Sequence, residues 1–170
     1  MDINNIKTLV NPGTYKLDCQ LRQLQSTVQT WEKEGLELCP DFQRGHIWTP
    51  MQQISFVEYI LRGGKTSEFL FNTKGNYMFI TEEFVCVDGL QRLTALLKFL
   101  DNRLPVFDGH TRSQINGIEN RLKGIYLQFY INELMTRKEV LEWYIELNSV
   151  RTPHTPDEID RVKKLLQTEK

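Results

Sequence analysis

An apolar run that stops at an Asp-Gly pair and gives way at once to a leucine-rich segment is the strongest constraint on how this chain folds. Residues 84–87 are apolar, Asp88 and Gly89 follow, and leucines then recur along residues 90–100. This pattern predicts a buried strand that enters an amphipathic helix through a tight turn. A helix N-terminus attracts phosphate through its N–H groups and its dipole, and Arg92 would add a two-pronged donor for the same anion. We therefore treat this turn as a candidate phosphate site.

The same turn also has a purely structural interpretation. Asp88, followed three residues later by Gln91, fits a capping box in which the Asp caps the helix and the Gln bonds back to the cap residue. Spacing alone leaves the two interpretations about even. Helical phase favours the ligand site, because Arg92 falls opposite the predicted buried stripe and would be free to meet solvent or a ligand. That stripe consists of Leu90, Leu93, Leu97 and Leu100.

Composition narrows the class of protein. The formal net charge of −1 lacks the positive excess of an obligate nucleic-acid binder, although a local basic patch stays open. The 3 cysteines are widely spaced and form no CxxC pair, which favours a reducing compartment over a zinc site. The polar N-terminus does not resemble a signal peptide, and no apolar run approaches the length of about 18 residues that spans a membrane. We expect a soluble intracellular protein.

Hydrophobic periodicity and turn signals predict an α+β domain. Thr49 as N-cap and Pro50 at the first helical position are a strong start signal for one of its helices. The expected helices cover residues 19–34, 50–62, 90–102, 137–147 and 157–168. The expected strands cover residues 36–40, 69–71, 77–80, 84–87 and 125–131. Residues 103–124 are polar, contain several glycines and are expected to be irregular.

A second cluster lies in the loop at residues 41–48. Gln43 and Arg44 are candidates for contacts with a phosphate or a base edge. Phe42 and Trp48 are interpreted as buried anchors of the loop. The loop therefore combines polar groups for a ligand with apolar groups that would hold it in place.

Asn148 forms a third candidate, because it stands where the helix over residues 137–147 is expected to end. Capping of that C-terminus is one interpretation. A ligand contact is the other, and it requires this end of the helix to fold back onto the Asp88 turn.

The chain lacks the signatures of several common catalytic sites. Gly64-Lys65 is not preceded by the glycine that a phosphate-binding P-loop needs. The 3 histidines lie apart without metal-ligand spacing, and no Glu-x-Lys of the commonest restriction-nuclease core is present. Neither a nucleophile elbow nor a plausible Cys/His pair occurs. Conventional hydrolase chemistry is therefore unsupported by the sequence.

Three segments occur in a characteristic order along the chain. They are Pro40-Asp41-Phe42-Gln43-Arg44 with Ile47-Trp48, Val87-Asp88-Gly89-Leu90-Gln91-Arg92-Leu93-Thr94, and Leu147-Asn148 with Thr152-Pro153. In this order they resemble the motifs of the N-terminal domain of GmrSD-type modification-dependent restriction proteins. The resemblance covers residues 20–156 and implies a ParB/sulfiredoxin-like fold, in which helices surround a small mixed sheet.

The resemblance implies binding, and in some members hydrolysis, of a nucleoside triphosphate with Mg²⁺. The positions that match as nucleotide or phosphate ligands are Gln43, Arg44, Gly89, Gln91, Arg92 and Asn148. Asp88 and Arg92 match the catalytic positions, and Asp88 would hold Mg²⁺ or orient the attacking water. Leu90 departs from the family pattern, since it replaces the first Gln of the D-G-Q-Q-R motif and puts base or water contacts there in question.

The expected organisation is an extended lead-in at residues 1–18, a nucleotide-binding domain over 19–156 and a C-terminal helix over 157–170, with no HNH-type nuclease domain recognised. Three functions stay open. The first is nucleotide binding with weak hydrolysis, linked to restriction, phage defence or counter-defence in the cytoplasm of a bacterial or phage-infected cell. The second is a non-catalytic DNA- or protein-interaction module that has lost turnover, and the third is a DNA nickase. Expected partners are a nucleotide, DNA and a separate nuclease or defence protein, and no membrane.

Overall fold

The centre of the protein is a five-stranded mixed sheet. The computed structural model describes residues 14–43, 48–74, 83–150 and 156–169. The strands are β1 (Tyr15–Gln20), β2 (Leu36–Glu37), β3 (Phe69–Thr73), β4 (Phe84–Asp88) and β5 (Tyr126–Asn132). Their order is β1-β5-β3-β4-β2. The pairs β1–β5 and β3–β4 are antiparallel, whereas β3–β5 and β2–β4 are parallel.

Helices surround this sheet. Within the described ranges they are α1 (Leu24–Lys33), α2 (Pro50–Leu61), α3 (Leu90–Leu100), α4 (Ile118–Lys123), α5 (Arg137–Val150) and α6 (Pro156–Thr168). The predicted start signal of α2 is confirmed, because Thr49 and Gln52 form a reciprocal capping box and Pro50 occupies the first helical position. None of the helices in this part of the chain is long and apolar enough to cross a membrane.

The two faces of the sheet are covered by different helices, because side chains alternate along each strand. In β4, Phe84 and Cys86 join one core cluster, whereas Val85 and Val87 join the other. Helices α1 to α4 contribute to the first cluster, and α5 and α6 contribute to the second. The prediction of an α+β fold with a small mixed sheet surrounded by helices is confirmed.

Trp31 of α1 ties the three central strands together on the first face. Its ring centroid lies 5.3 Å from those of Phe71 and Phe84 and 5.4 Å from that of Phe129. These residues belong to β3, β4 and β5, and edge-on or tilted aromatic pairs of this kind contribute beyond the area they bury. The strand that carries Asp88 is therefore held firmly on this side.

The start of the chain differs from the prediction. Residues 15–18 belong to β1 and pair with β5, so they are part of the sheet, and the boundary expected at 18/19 falls inside this strand. The helix predicted over residues 19–34 begins only at Leu24, after a 3-10 turn at Leu21–Gln23. The physical reason is that the Leu21 N–H donates to the Ile125 carbonyl at 2.8 Å, which continues the pairing of β1 beside β5.

One helix was not predicted, one is longer than predicted, and one predicted strand cannot be compared. The segment predicted to be irregular contains α4, whose Ile118 and Leu122 lie one turn apart and are both buried. Helix α5 continues beyond its predicted end to Val150. The strand predicted over residues 77–80 lies outside the described residues.

Asn72 provides a test of how α5 is positioned on the sheet. Its Nδ2 donates to the Leu134 carbonyl at 3.1 Å, and its Oδ1 accepts from the Leu134 N–H at 2.8 Å. Both residues are buried, so Asn72→Ala would leave a buried peptide group without these partners. We expect the free energy of unfolding, measured with urea, to fall by about 1–3 kcal/mol. The control Asn116→Ala, at an exposed position, should stay within about 0.5 kcal/mol of wild type. Equal losses for the two variants would contradict this account.

Candidate functional site

The candidate phosphate site lies where β4 ends and α3 begins. Asp88 is the last residue of β4, and Gly89 takes a φ of +117° before α3 starts at Leu90. Gly89 is the N-cap of the helix, so the capping box predicted from Asp88 and Gln91 is wrong. A Cβ atom at Gly89 would lie 2.6 Å from Cδ1 of Phe69, which together with the positive φ explains why glycine is needed here.

A bulge at the end of β4 sets the direction of Asp88. Strand β3 pairs Phe71 with Cys86 but Leu70 with Asp88, so Val87 is an additional residue on the β4 side. A bulge bends its strand and re-aims the side chains that follow it. Here Val87 stays buried in the second core cluster, whereas the Asp88 side chain is 36% exposed. The carboxylate therefore lies partly exposed at the carboxyl end of β4.

Arg92 is not free to meet solvent, and in this respect the prediction from helical phase is wrong. Its side chain is only 12% exposed, because the guanidinium donates to the segment that enters β3. The acceptors are Thr66 Oγ1 at 3.0 Å, the Ser67 carbonyl at 2.6 Å, Ser67 Oγ at 2.5 Å and the Glu68 carbonyl at 3.2 Å. A helical wheel places a residue relative to its own helix and cannot report a loop that crosses the first turn. A contact between Arg92 and phosphate stays a prediction.

The same guanidinium also holds Asp88. The Arg92 Nη2 donates to Asp88 Oδ2 at 3.1 Å, and the guanidinium carbon lies 4.7 Å from the centroid of the Phe69 ring. The ring, packed beneath Gly89, therefore also contacts the cation that orients the carboxylate. Asp88, Gly89, Arg92 and Phe69 form one compact unit at the mouth of α3.

The loop that carries the first motif, residues 41–48, is called the motif loop and is attached to this unit on two sides. Gln43 Nε2 donates to the Cys86 carbonyl at 2.5 Å, and Gln91 Oε1 accepts from the Trp48 N–H at 3.1 Å. Two segments that lie far apart in the sequence therefore meet at the β4–α3 turn. Arg44 lies between these attachment points in the sequence and outside the described residues.

Phe42 is the buried anchor that the sequence predicted. It is fully buried, and its ring centroid lies 5.2 Å from that of Tyr144 in α5. Trp48 is only partly buried and packs edge-on against Phe56 at 5.3 Å. The loop is thus held by α5 at one end and by α2 at the other.

Asn148 does not cap α5, because the helix continues to Val150. Its Nδ2 donates to the Tyr144 carbonyl at 2.7 Å, which is a bond within its own helix. Helix α5 does pack against the motif loop, through Tyr144 and Phe42. A ligand contact of Asn148 stays a prediction.

Two arginines that the sequence did not single out hold the backbone of the motif loop. Arg161 of α6 donates to the carbonyls of Asp41 at 2.8 Å, Phe42 at 3.0 Å and Gln43 at 3.2 Å. Arg137 of α5 bonds to the Asp41 carboxylate, and this hydrogen bond raises the pKa of the arginine. Local sequence offers no signal that Arg161 reaches a loop more than 100 positions away.

The cysteine that precedes the turn, Cys86, is buried and unreactive. Burial raises the pKa of the Cys86 thiol well above its ordinary value, and the negative charge of Asp88 raises it further. The thiol therefore stays protonated and does not act as a nucleophile at neutral pH.

The turn carries one acidic residue, Asp88, which limits the kind of metal site that it could form. Among the described residues no group of three or more His, Cys, Asp or Glu is arranged to hold a metal ion by itself. Mg²⁺ that accompanies a nucleotide needs only one or two carboxylates, since phosphate oxygens and water complete its shell. Asp88 is the carboxylate of this turn and already bonds to Arg92, and its binding of Mg²⁺ stays a prediction.

Gly89 gives a test of the turn geometry. Gly89→Ala would force a side chain into the left-handed region and against the buried Phe69 ring. Gly35→Ala is a matched control, because Gly35 has a φ of +100° and nothing within 4 Å of the added Cβ. Both variants should lose stability from backbone strain, and Gly89→Ala should lose about 1–3 kcal/mol more from overpacking, measured by urea unfolding. Equal losses would show that Phe69 does not constrain the turn.

Comparison with known families identifies one whose domain contains the three motif segments. The family model described as GmrSD restriction endonuclease, N-terminal domain, matches residues 31–167, which is well over half of the chain and includes all three motif segments. No curated protein and no solved structure matches the chain, so the ParB/sulfiredoxin-like fold stays a prediction. The family match links the chain to DNA restriction or phage defence. The chain belongs to the family of GmrSD restriction endonuclease N-terminal domains.

Proposed function

We propose that this domain binds a nucleoside triphosphate with Mg²⁺ at the β4–α3 turn and couples that binding to DNA restriction or phage defence. The observation that carries the proposal is the meeting of two motif segments at one turn. Trp48 of the first segment bonds to Gln91 of the second, and Gln43 bonds to Cys86, the residue directly before the second segment. Motif residues that are distant in sequence and gathered around a helix N-terminus are well suited to share one anionic ligand.

Each residue of the turn has a proposed role. Gly89 lets the backbone approach the phosphates closely, because it has no side chain. Asp88 binds Mg²⁺ or orients an attacking water, and Arg92 contributes positive charge close to the phosphates. The contacts of Arg92 with the segment before β3 support a second role for it, which is to hold Asp88 in a fixed position.

We expect the domain to hydrolyse its bound nucleotide only slowly. Leu90 stands where the family motif carries a glutamine, and a leucine cannot hydrogen-bond a base or a water. The donors of Arg92 already contact protein oxygens, which limits the new bonds that it can form in a transition state. We therefore propose nucleotide binding with weak hydrolysis, and DNA or a separate nuclease as the partner that responds to it.

The test is a thermal shift with ATP, GTP, CTP and UTP in the presence of Mg²⁺. A ligand at 100 times its Kd adds about 2.7 kcal/mol to stability, which raises the Tm of a domain of this size by about 5–10 °C. Asp88→Asn should lose most of the Mg²⁺-dependent part of the shift, measured from its own ligand-free Tm. Asp101→Asn is the control, since Asp101 also pairs with an arginine but lies at the opposite end of α3.

The outcomes separate the candidate activities. If no nucleotide shifts the wild type, the proposed function is wrong. A shift without phosphate release indicates a binding-only domain, and a nucleotide shift that Asp88→Asn leaves intact removes Asp88 from the Mg²⁺ site. Loss of supercoiled plasmid incubated with Mg²⁺ or Mn²⁺ would instead favour a nickase.

A further inference from the structure

Helix α6 reaches the motif loop through one side chain. The guanidinium of Arg161 donates to the carbonyl oxygens of three consecutive residues, Asp41, Phe42 and Gln43, at 2.8, 3.0 and 3.2 Å. A planar fork can donate to several acceptors at once, whereas the single ammonium of a lysine is less suited to this arrangement. The backbone of the loop therefore faces α6.

The side chain of Gln43 points the other way, towards the sheet. Its Nε2 donates to the Cys86 carbonyl of β4, two residues before Asp88. The Gln43 N–H donates to the Pro40 carbonyl at 2.9 Å, which closes a turn in the loop. Gln43 is thus bonded to α6 through its carbonyl and to β4 through its amide side chain.

A second contact joins the end of α6 to the same loop. Arg137 bonds to the Asp41 carboxylate and, through Nε, to Glu169 Oε1 at 3.0 Å, directly after α6. Val162, the neighbour of Arg161, is fully buried in the second core cluster, which fixes the helix against the domain. The position of α6 and the position of the loop are therefore linked by one contact at the middle of the helix and one just beyond its C-terminal end.

We propose that Arg161 is a positioning residue that places Gln43 at the β4–α3 turn and so couples the seating of α6 to nucleotide binding. The nucleotide part of this inference rests on the function proposed above. Coupling between two sites is reciprocal, so a nucleotide that needs the loop in place also stabilises α6 on the domain.

The test compares Arg161→Met, which keeps much of the apolar stem, with Arg161→Lys and with the control Lys164→Met on the exposed surface of the same helix. Circular dichroism and Tm first establish that each variant is folded. Hydrogen exchange without nucleotide then reports the Gln43 and Trp48 amides, and isothermal titration reports the affinity for whichever of ATP, GTP, CTP and UTP gives the largest shift.

We expect faster exchange of both amides in Arg161→Met and a nucleotide affinity lower by about tenfold. Arg161→Lys should be intermediate, and Lys164→Met should match wild type. Added nucleotide should slow the exchange of α6 amides in the wild type. Unchanged exchange in both Arg161 variants would overturn the positioning role.

Two further outcomes separate this inference from the proposed function. Faster loop exchange with wild-type nucleotide affinity would reduce Arg161 to an attachment of α6 and overturn the coupling. If the wild type binds no nucleotide, the proposed function fails by itself, and the exchange comparison still decides whether Arg161 holds the loop.

Discussion

The guanidinium of Arg92 is the contact on which the candidate site depends. It joins the segment before β3, the carboxylate of Asp88 and the face of Phe69, and it does so from the first turn of α3. These groups come from residues 66–69 and from the end of β4, and a single planar cation contacts all of them because its donors diverge in a fixed geometry while its face meets the ring. Together with the bulge at Val87, the bond to Arg92 sets the direction of the Asp88 carboxylate.

Local patterns in the sequence were sufficient to predict much of the fold. The strand–turn–helix at β4 and α3 and the helix start at Thr49 and Pro50 depend on neighbouring residues, and the structure contains both. The buried face of α3 was predicted less well. Leu97 is only partly buried, whereas Leu96 and Phe99 are fully buried, because helix packing covers a wider arc than one stripe.

The parts that sequence could not predict depend on long-range contacts. Helical phase placed Arg92 opposite the predicted stripe, but only the path of residues 66–68 determines what lies there. Pairing with β5 turned residues 15–18 into an edge strand. The three carbonyl contacts of Arg161 join residues more than 100 positions apart, and no spacing rule connects them.

The shortness of β2 has a consequence for the edge of the sheet. Its two residues pair only with Phe84 and Val85, so this strand does not extend along β4 to the Cys86 carbonyl. The amide side chain of Gln43 bonds to that carbonyl in place of a strand. An exposed strand edge is a template on which another chain can add by β-augmentation. Gln43 therefore occupies a position on β4 at which an added strand would pair.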